Sequence, residues 1–511
     1  MTDVSLGAMF RTTAARVPDR PAVLFQGEAT SYAALEALSN RLAAALLERG
    51  LGRGDRVGLY CINSPFFVAS YLGIVKMGGT VVPINLLLNP EEVHYILADS
   101  GARALIFFET LAANVAAIRE RLPELQHLIA IGDPGANPAT PWTEILASPS
   151  ALGELPILDP REDVAAILYT SGTTGQPKGA MLTHHNLLSN VASISQILQV
   201  REEDVILTVL PLFHAFAATA CMLLALHQGA AIAAVPRFSP EEVGRIIQAT
   251  RATIFMGVPS MYALFANLPP DKQPDLSSLR LCISGGAALP VEIMQRFEER
   301  YGLPIYEGDG PTECSPVTCV NPIGGRRKPG SVGLPIPGVE MKIVDDEGRE
   351  LPVGEVGEIV VRGENVMKGY FNLPQETAEA FFGEWFRTGD LGYVDAEGYF
   401  YIVDRKKDML IVNGMNVYPR HVEEVIYRHP AVAECAVVGD PHPLHGEVPR
   451  AVVALKEGRH ATAEEILQLC RQHLGLYQVP RRIEFVEALP KNAAGKILKR
   501  ALIRREGPRE P

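Results

Sequence analysis

Residues 169–179, YTSGTTGQPKG, put three glycines, four hydroxyl side chains and Lys178 directly after the apolar, strand-like run AAIL. Glycine permits backbone conformations that turn N–H groups toward a ligand, and hydroxyls add rotatable donors. With the charge of Lys178, this is the chemistry a polyphosphate requires. The spacing departs from GxxxxGK[ST], because Pro177 rather than glycine precedes Lys178, and GxGxxG does not occur in the run. A flexible surface loop rich in small residues is the plain alternative. The buried-looking strand before it, and hydroxyls together with a lysine, weigh against that alternative.

Other segments carry candidate chemistry more weakly. LPLFHAF (210–216) presents His214 among Leu212, Phe213 and Phe216, where a lone histidine is more often a satisfied core residue. SGGAALP (284–290) follows the strand candidate LRLCI, and a strand, tight glycine turn and helix suit a ligand lying against exposed backbone. IYEGDGPTECSP (305–316) contains Thr312 and Glu313, and a carboxylate beside a nucleotide suits Mg²⁺, which takes oxygen ligands shared with phosphate. Asp390, in TGD, follows a glycine, where an aspartate on its own is ordinarily turn chemistry. Lys496, in LPKNAAGKILKR (489–500), would on its own be a solvated charge near a basic end, like Lys499 and Arg500.

Taken in order, these segments resemble the adenylate-forming superfamily of acyl-CoA synthetases, peptide-synthetase adenylation domains and beetle luciferases. The resemblance runs over roughly residues 10–505. NVMKGYFNLPQETAEAF and VDRKKDMLIVNGMNVYPR look most like fatty-acid CoA ligases. It implies that Thr170, Ser171, Gly172, Thr173, Thr174 and Lys178 handle ATP phosphates. It places His214 beside the acyl carboxylate and Gly285, Gly286 and Ala287 beside adenine and the acyl group. Thr312 is expected on phosphate, Glu313 on Mg²⁺, Asp390 on the ribose hydroxyls and Arg405 near ribose and phosphate. Lys407 falls at the hinge, Gly414, Met415 and Asn416 on the coenzyme A channel, and Lys496 at the lysine that assists adenylation. Phe213, Phe216, Val258, Gly285 and Pro311 are candidates for the acyl pocket, with core packing as the alternative for the phenylalanines. Asp309 departs from the pattern, occupying a position usually filled by an aromatic that packs on adenine; it either accepts from the adenine amino group or caps the next turn.

The implied activity is ATP-dependent activation of a medium- or long-chain fatty acid as acyl-AMP, then thioester formation with coenzyme A. The cofactors are ATP, Mg²⁺ and coenzyme A. An aromatic or alicyclic acid, or a carrier protein as acceptor, is the competing reading; no carrier-protein domain follows the last motif in this sequence. A pure nucleotide-binding regulator would be expected to lack Lys496 or Glu313.

The elements that must position these residues follow from the rest of the chain. At 511 residues, more than one core is expected. Helix-like segments such as SNRLAAALLERG (39–50) alternate with β-branched runs at 55–63, 103–109, 252–258 and 279–286, which predicts α/β architecture with buried strands. From about residue 330, short strands between Asp/Gly turns predict a β-rich subdomain. The charged knot 404–408 suggests a boundary, giving a large N-terminal domain, 1–404, and a small α+β domain, 405–511, which the resemblance makes mobile.

A net charge of −12 disfavours a general nucleic-acid surface. The seven cysteines form no CxxC pair and read as reduced thiols. Residues 217–235 hold about ten apolar residues before His227, roughly half a membrane span, and read as a buried helix turning into a buried strand. MTDVSLGAMFRTTAARVPDR lacks the apolar core of a secretory signal. A cytoplasmic enzyme of small molecules is expected, with peripheral membrane contact and a homodimer left open.

Overall fold

The computed structural model describes residues 3–147, 152–170, 176–442, 444–492 and 495–503. Among these, four sheets organise the chain. The first runs Leu334–Pro335, Cys319–Val320, Ile305–Asp309, Leu281–Ser284, Ile254–Gly257, Val205–Thr208, Ala231–Ala234, Pro21–Phe25 and Glu28–Ser31. Its six strands from Ile305–Asp309 to Pro21–Phe25 are parallel to their neighbours. Strands such as Leu281–Ser284 are buried at every position, which is why they read as unbroken apolar runs rather than alternating ones.

The second sheet centres on Thr80–Pro83, Arg56–Tyr60, Ala104–Phe108 and His127–Ile131 in parallel register. At its other side, Val164–Thr170 and Lys178–Thr183 pair antiparallel, setting Thr170 opposite Lys178. The phosphate-loop candidates Ser171, Gly172, Thr173 and Thr174 lie outside the described residues.

The predicted β-rich region is an antiparallel sheet of Val339–Val344, Gly357–Gly363, Trp385–Val394 and Phe381–Phe382, with Phe400–Arg405 paired to Trp385–Val394. A fourth sheet holds Leu410–Val412, Met415–Val417, Val432–His442, Gly446–Leu455 and Arg482–Val486, with the helices Pro419–Tyr427 and Ala463–His473. The chain therefore has a large α/β and β-rich N-terminal part and a small α+β C-terminal part.

Local sequence accounts for the helix limits near the site. Thr183 and Asn186 form a capping box at the start of His184–Leu198, and Gln199 ends that helix in a left-handed conformation. The apolar stretch after His214 is helical, as expected, but as a π-helix over Ala217–Leu223 continued by Leu224–Gln228. The strand Ala231–Ala234 follows. No helix among the described residues is long and apolar enough to cross a membrane. All seven cysteines are free and buried.

One buried charge ties the N-terminal helices together. Lys76, 1% exposed, donates to Glu36, to Ser39 Oγ at 2.8 Å and to Asn40 Oδ1 at 2.9 Å. Burial still pushes its pKa down to about 8. Lys76→Ala would leave a void beside Glu36, with Arg11 at 3.4 Å as its remaining cation, a loss on the order of 2 kcal/mol. We expect a thermal midpoint lower by several degrees; an unchanged midpoint would contradict this account.

Candidate active site

Four neighbouring parallel strands deliver their carboxyl ends to one place. Val205–Thr208 runs on to Leu210, Pro211 and His214; Ile254–Gly257 to Val258; Leu281–Ser284 to Gly285 and Gly286; Ile305–Asp309 to Gly310 and Thr312. Loops leaving the carboxyl edge of an open parallel sheet are where such folds form their crevices. Two adjoining cavities lie there. The larger, about 620 Å³, has His214, Asp309, Thr312 and Ser284 as its titratable or hydroxyl groups near the backbone of Gly285, Gly286, Gly308 and Gly310, and the Ser284 Oγ is buried without a partner. Its other walls are apolar, from Ile194 and Leu198 through Ala220 and Met256 to Val317 and Val320. The smaller, about 330 Å³, is bounded by Leu210, Pro211, His214, Phe216, Val258, Gly286, Asn492 and Lys496. His214, Phe216 and Gly286 border both.

Glycine is required at two of these positions. Gly286 has φ +76°, a conformation L side chains rarely adopt. At Gly310 a Cβ would overlap the Pro316 carbonyl, so the chain can pass only without one.

His214 Nδ1 accepts the Phe216 N–H at 3.4 Å. Burial, reinforced by Lys496, pushes its pKa down to about 4, so the ring is neutral near pH 7 and the other nitrogen carries the proton. Lys496 enters from the small C-terminal part. Asn492 Oδ1 accepts its backbone N–H at 2.9 Å, and burial, then Arg405, lowers its pKa to about 8. Asp390 and Asp309 oppose that shift. Arg405 Nε lies 3.2 Å from Asp390 Oδ1, the two residues facing each other across adjacent strands. Burial, then the Asp390 charge, raises the Asp309 carboxyl to about 6. The turn Thr312–Cys314 carries no side-chain cap, so the capping alternative for Asp309 finds no support there.

Glu313 joins the phosphate-loop strands to the site. Its Oε1 accepts from Tyr370 Oη at 2.9 Å and from Thr170 Oγ1 at 3.4 Å, while Lys178 Nζ lies 5.4 Å from the centre of the Tyr370 ring. A carboxylate and a hydroxyl are hard oxygen donors that suit Mg²⁺ when phosphates complete its shell. Among the described residues no group of three or more His, Cys, Asp or Glu could hold a metal alone.

The pocket candidates divide. Phe216 and Gly285 line the large cavity. Phe213 lines neither cavity; the residue is 9% exposed and packs into the main core. Pro311 also lines neither, because it begins the Thr312–Cys314 turn, and Pro316 forms the wall instead. Val258 borders the lysine cavity rather than the apolar one, and Ala287 borders neither. Gly414, Met415 and Asn416 sit on an exposed hairpin of the C-terminal sheet, away from both cavities, and Lys407 is exposed in the preceding turn. Sequence reasoning missed Tyr370, although it lies in the quoted NVMKGYF, and Asn492, although it lies in PKNAAGK. It also missed Ile194, Leu198, Ala220 and Met256, which carry no local signal beyond apolarity.

Comparison with known proteins agrees with this geometry. The AMP-binding enzyme family matches residues 10–371, and the AMP-binding enzyme C-terminal domain matches 421–496. The chain belongs to this adenylate-forming family. It is 39% identical to the long-chain-fatty-acid–CoA ligase of Bacillus subtilis (strain 168), over 98% of this chain and 94% of that protein. It is 38% identical to a feruloyl-CoA synthase of an Amycolatopsis species, over 99% and 100%. The crystal structure of the anthranilate CoA ligase AuaEII in complex with anthranoyl-AMP superposes with a TM-score of 0.93 at 33% identity, over 98% of this chain and 97% of that one. Adenylate-forming CoA ligases use ATP, Mg²⁺ and coenzyme A.

The environment of Lys496 can be measured directly. Amine labelling of the ligand-free protein across pH should give Lys496 a midpoint near 8. A midpoint equal to that of the surface lysines would show that the residue is not buried against Arg405.

Proposed function

We propose that this chain is an AMP-forming acyl-CoA ligase for an apolar monocarboxylic acid, with a medium- or long-chain fatty acid as the leading substrate. The carrying observation is the large cavity: His214, Asp309, Thr312 and Ser284 are the titratable or hydroxyl side chains of its lining, and the other lining side chains are apolar. A second charge on the acid would be buried there without a partner, which is costly.

In the first step the acid's carboxylate oxygen attacks the α-phosphorus of ATP. The bond to the bridging oxygen of pyrophosphate breaks, pyrophosphate leaves and acyl-AMP remains. Lys496 supplies positive charge where the carboxylate and α-phosphate meet, the kind of fixed charge worth most in a water-poor site. Neutral His214 offers its ring N–H to the carboxylate, and Thr312, Thr170 and Lys178 serve the phosphates. Asp390, held by Arg405, accepts from the ribose hydroxyls. Mg²⁺, when bound at Glu313, neutralises phosphate charge. In the second step the thiolate sulfur of coenzyme A attacks the acyl carbon and AMP leaves. The small C-terminal part, beginning at about residue 405, turns about Lys407 between the steps, carrying Lys496 away and bringing Gly414, Met415 and Asn416 toward the thiol. We place the enzyme in the cytoplasm.

A second reading, an aromatic acid, draws on one feature. A Cβ on Gly285 would lie 3.2 Å from Phe216 Cε1 and 3.3 Å from the Gly308 carbonyl oxygen, so ring and backbone form a close, flat wall. The feruloyl-CoA synthase relative and the anthranilate CoA ligase structure accord with it.

Following AMP release across a panel of acids, with and without coenzyme A, separates the readings. Each buried CH₂ contributes about 0.8 kcal/mol, so kcat/KM should rise about fourfold per methylene until the cavity is full. Ala220→Phe should cut activity on long acids far more than on short ones; Ala220 is a cleaner probe than Gly286, whose positive φ makes any side chain strained. A flat chain-length profile with rapid turnover of a benzoate-type acid would reject the aliphatic reading.

The lysine gives an independent check. Lys496→Ala should lower acyl-AMP formation by about 10²–10³-fold while largely sparing thioester formation from supplied acyl-AMP. Because the protonated lysine is the active form, wild-type adenylation should decline as pH rises through about 8. Equal losses in both half-reactions would count against this role.

A further inference from the structure

Lys496 belongs to the C-terminal part yet borders a cavity lined by the large part, so some contact must set the pose of its loop. The base of the loop is staked to the C-terminal part. Lys499, expected as a solvated charge, pairs instead with Glu423 at 2.8 Å, and Lys491 pairs with Glu434 at 2.7 Å. Between these ion pairs Lys491 and Ile497 form an antiparallel bridge, and the Leu498 N–H donates to the Pro490 carbonyl at 2.8 Å. The loop therefore moves as one body with the helix Pro419–Tyr427 and the strand Val432–His442.

Beside the lysine, one bond crosses to the large part. Ser260, in the first turn of the helix Pro259–Asn267, donates its hydroxyl to the Gly495 carbonyl at 2.9 Å. That carbonyl belongs to the peptide unit whose N–H is the lysine's own, and this N–H donates to Asn492 Oδ1 at 2.9 Å. The unit is thus held on both edges, by the large part through its oxygen and by the C-terminal part through its nitrogen. The next unit is held as well, because the Lys496 carbonyl accepts from the Asn492 N–H at 2.8 Å. Peptide units are planar, so fixing both of them fixes the direction in which the lysine side chain leaves the backbone. Glycine is needed for the close approach: Gly495 has φ +82°, and a Cβ there would lie 3.0 Å from Ser260 Oγ and 3.2 Å from Val258 Cγ2. A second bond between the parts, from Arg296 Nη2 to the Tyr427 carbonyl at 3.2 Å, involves neither the loop nor the cavities.

We propose that Ser260 is a positioning residue for the adenylation step: its hydroxyl seats the Gly495 carbonyl and so aims Lys496 at the cavity that the lysine shares with His214. The bond is specific to this pose, because donor and acceptor lie on different parts and the loop leaves with the C-terminal one. Ser260 lines neither cavity, so it acts through the lysine and not on a substrate. The Arg296 bond remains when the hydroxyl is removed, which makes the loss graded rather than complete.

The inference rests on the role proposed for Lys496, and the test separates the two. In Ser260→Ala, pyrophosphate exchange should fall about fivefold, the net weight of one neutral hydrogen bond. Thioester formation from supplied acyl-AMP should stay within about twofold on the same basis. In a Lys496→Ala background the same substitution should change exchange by less than about twofold, because residues that act as a unit do not add. Amine labelling of the ligand-free protein is an activity-free readout. Relative to the surface lysines, Lys496 should react about fivefold faster in Ser260→Ala than in wild type, at an equal thermal midpoint, since the same bond holds it against the large part. Equal losses in both half-reactions, no loss in exchange, a full further loss in the Lys496→Ala background, or an unchanged labelling rate would each overturn the proposal. Wild-type protein inactive in both half-reactions on every acid would reject the functional reading instead, and the labelling rates would still decide the seat.

Discussion

The Asp390–Arg405 pair, at 3.2 Å, is the interaction on which the polar half of the site depends. Asp390 is 6% exposed, and a carboxylate that deep in the protein needs a cation or strong donors to remain charged. Arg405 supplies the cation from the opposite strand, at the last residue before the chain leaves for the C-terminal part. The residue beside it, Asp404, takes the Arg420 backbone N–H at 2.9 Å and so ties the same strand to the helix Pro419–Tyr427. One arginine thus pairs with a buried carboxylate, depresses the proton affinity of Lys496 and stands two residues from the exposed turn at Lys407. Electrostatics and chain geometry meet at a single position.

The apolar half depends on strand order instead. His214, Val258, Gly285 and Gly310 are distant in sequence but leave the same edge of one parallel sheet. No one of these loops makes a pocket. Together they set a histidine, two open backbone turns and a cavity side by side. The π-helix Ala217–Leu223 then completes the wall by placing Ala220 beside the cavity, and irregular helical turns of this kind are often found at functional sites.

Much of this was legible in the residues. Strand runs such as Leu281–Ser284 and Gly357–Gly363 were visible because burial on both faces, or turn residues on both flanks, leaves a clear pattern. Glycine turns, the Thr312–Glu313 pair and the lysine of PKNAAGK stood out because backbone freedom and charge limit which residues serve. The acyl pocket did not stand out. A phenylalanine against the core and one against a cavity have the same composition, so nothing local separates Phe213, which packs inward, from Phe216, which borders both cavities. Leu198, at the end of a helix more than ten residues before His214, joins that wall only through tertiary packing. Tyr370 escaped for a similar reason: its hydroxyl matters through Glu313, 57 positions earlier.

Asp309 shows how the two halves constrain each other. An aromatic at this position would offer a face to a ring; a carboxylate offers charge, and charge must be balanced where it is buried. Its backbone carbonyl is already occupied by Thr318, whose N–H and hydroxyl donate at 2.9 and 3.0 Å, so the strand end is rigid and the side chain has little freedom to retreat to water. The balance comes from Arg405 and Lys496, whose charges lower its pKa while burial and Asp390 raise it. Two cations and two carboxylates therefore act on one another here, Asp309 and Lys496 each lining one of the two cavities. Without Asp309, the repulsion between Arg405 and Lys496 would be offset by Asp390 and, more weakly, by Asp408. The unusual residue thus brings negative charge to bear on Lys496, and it does so from the edge of the same sheet that builds the apolar cavity.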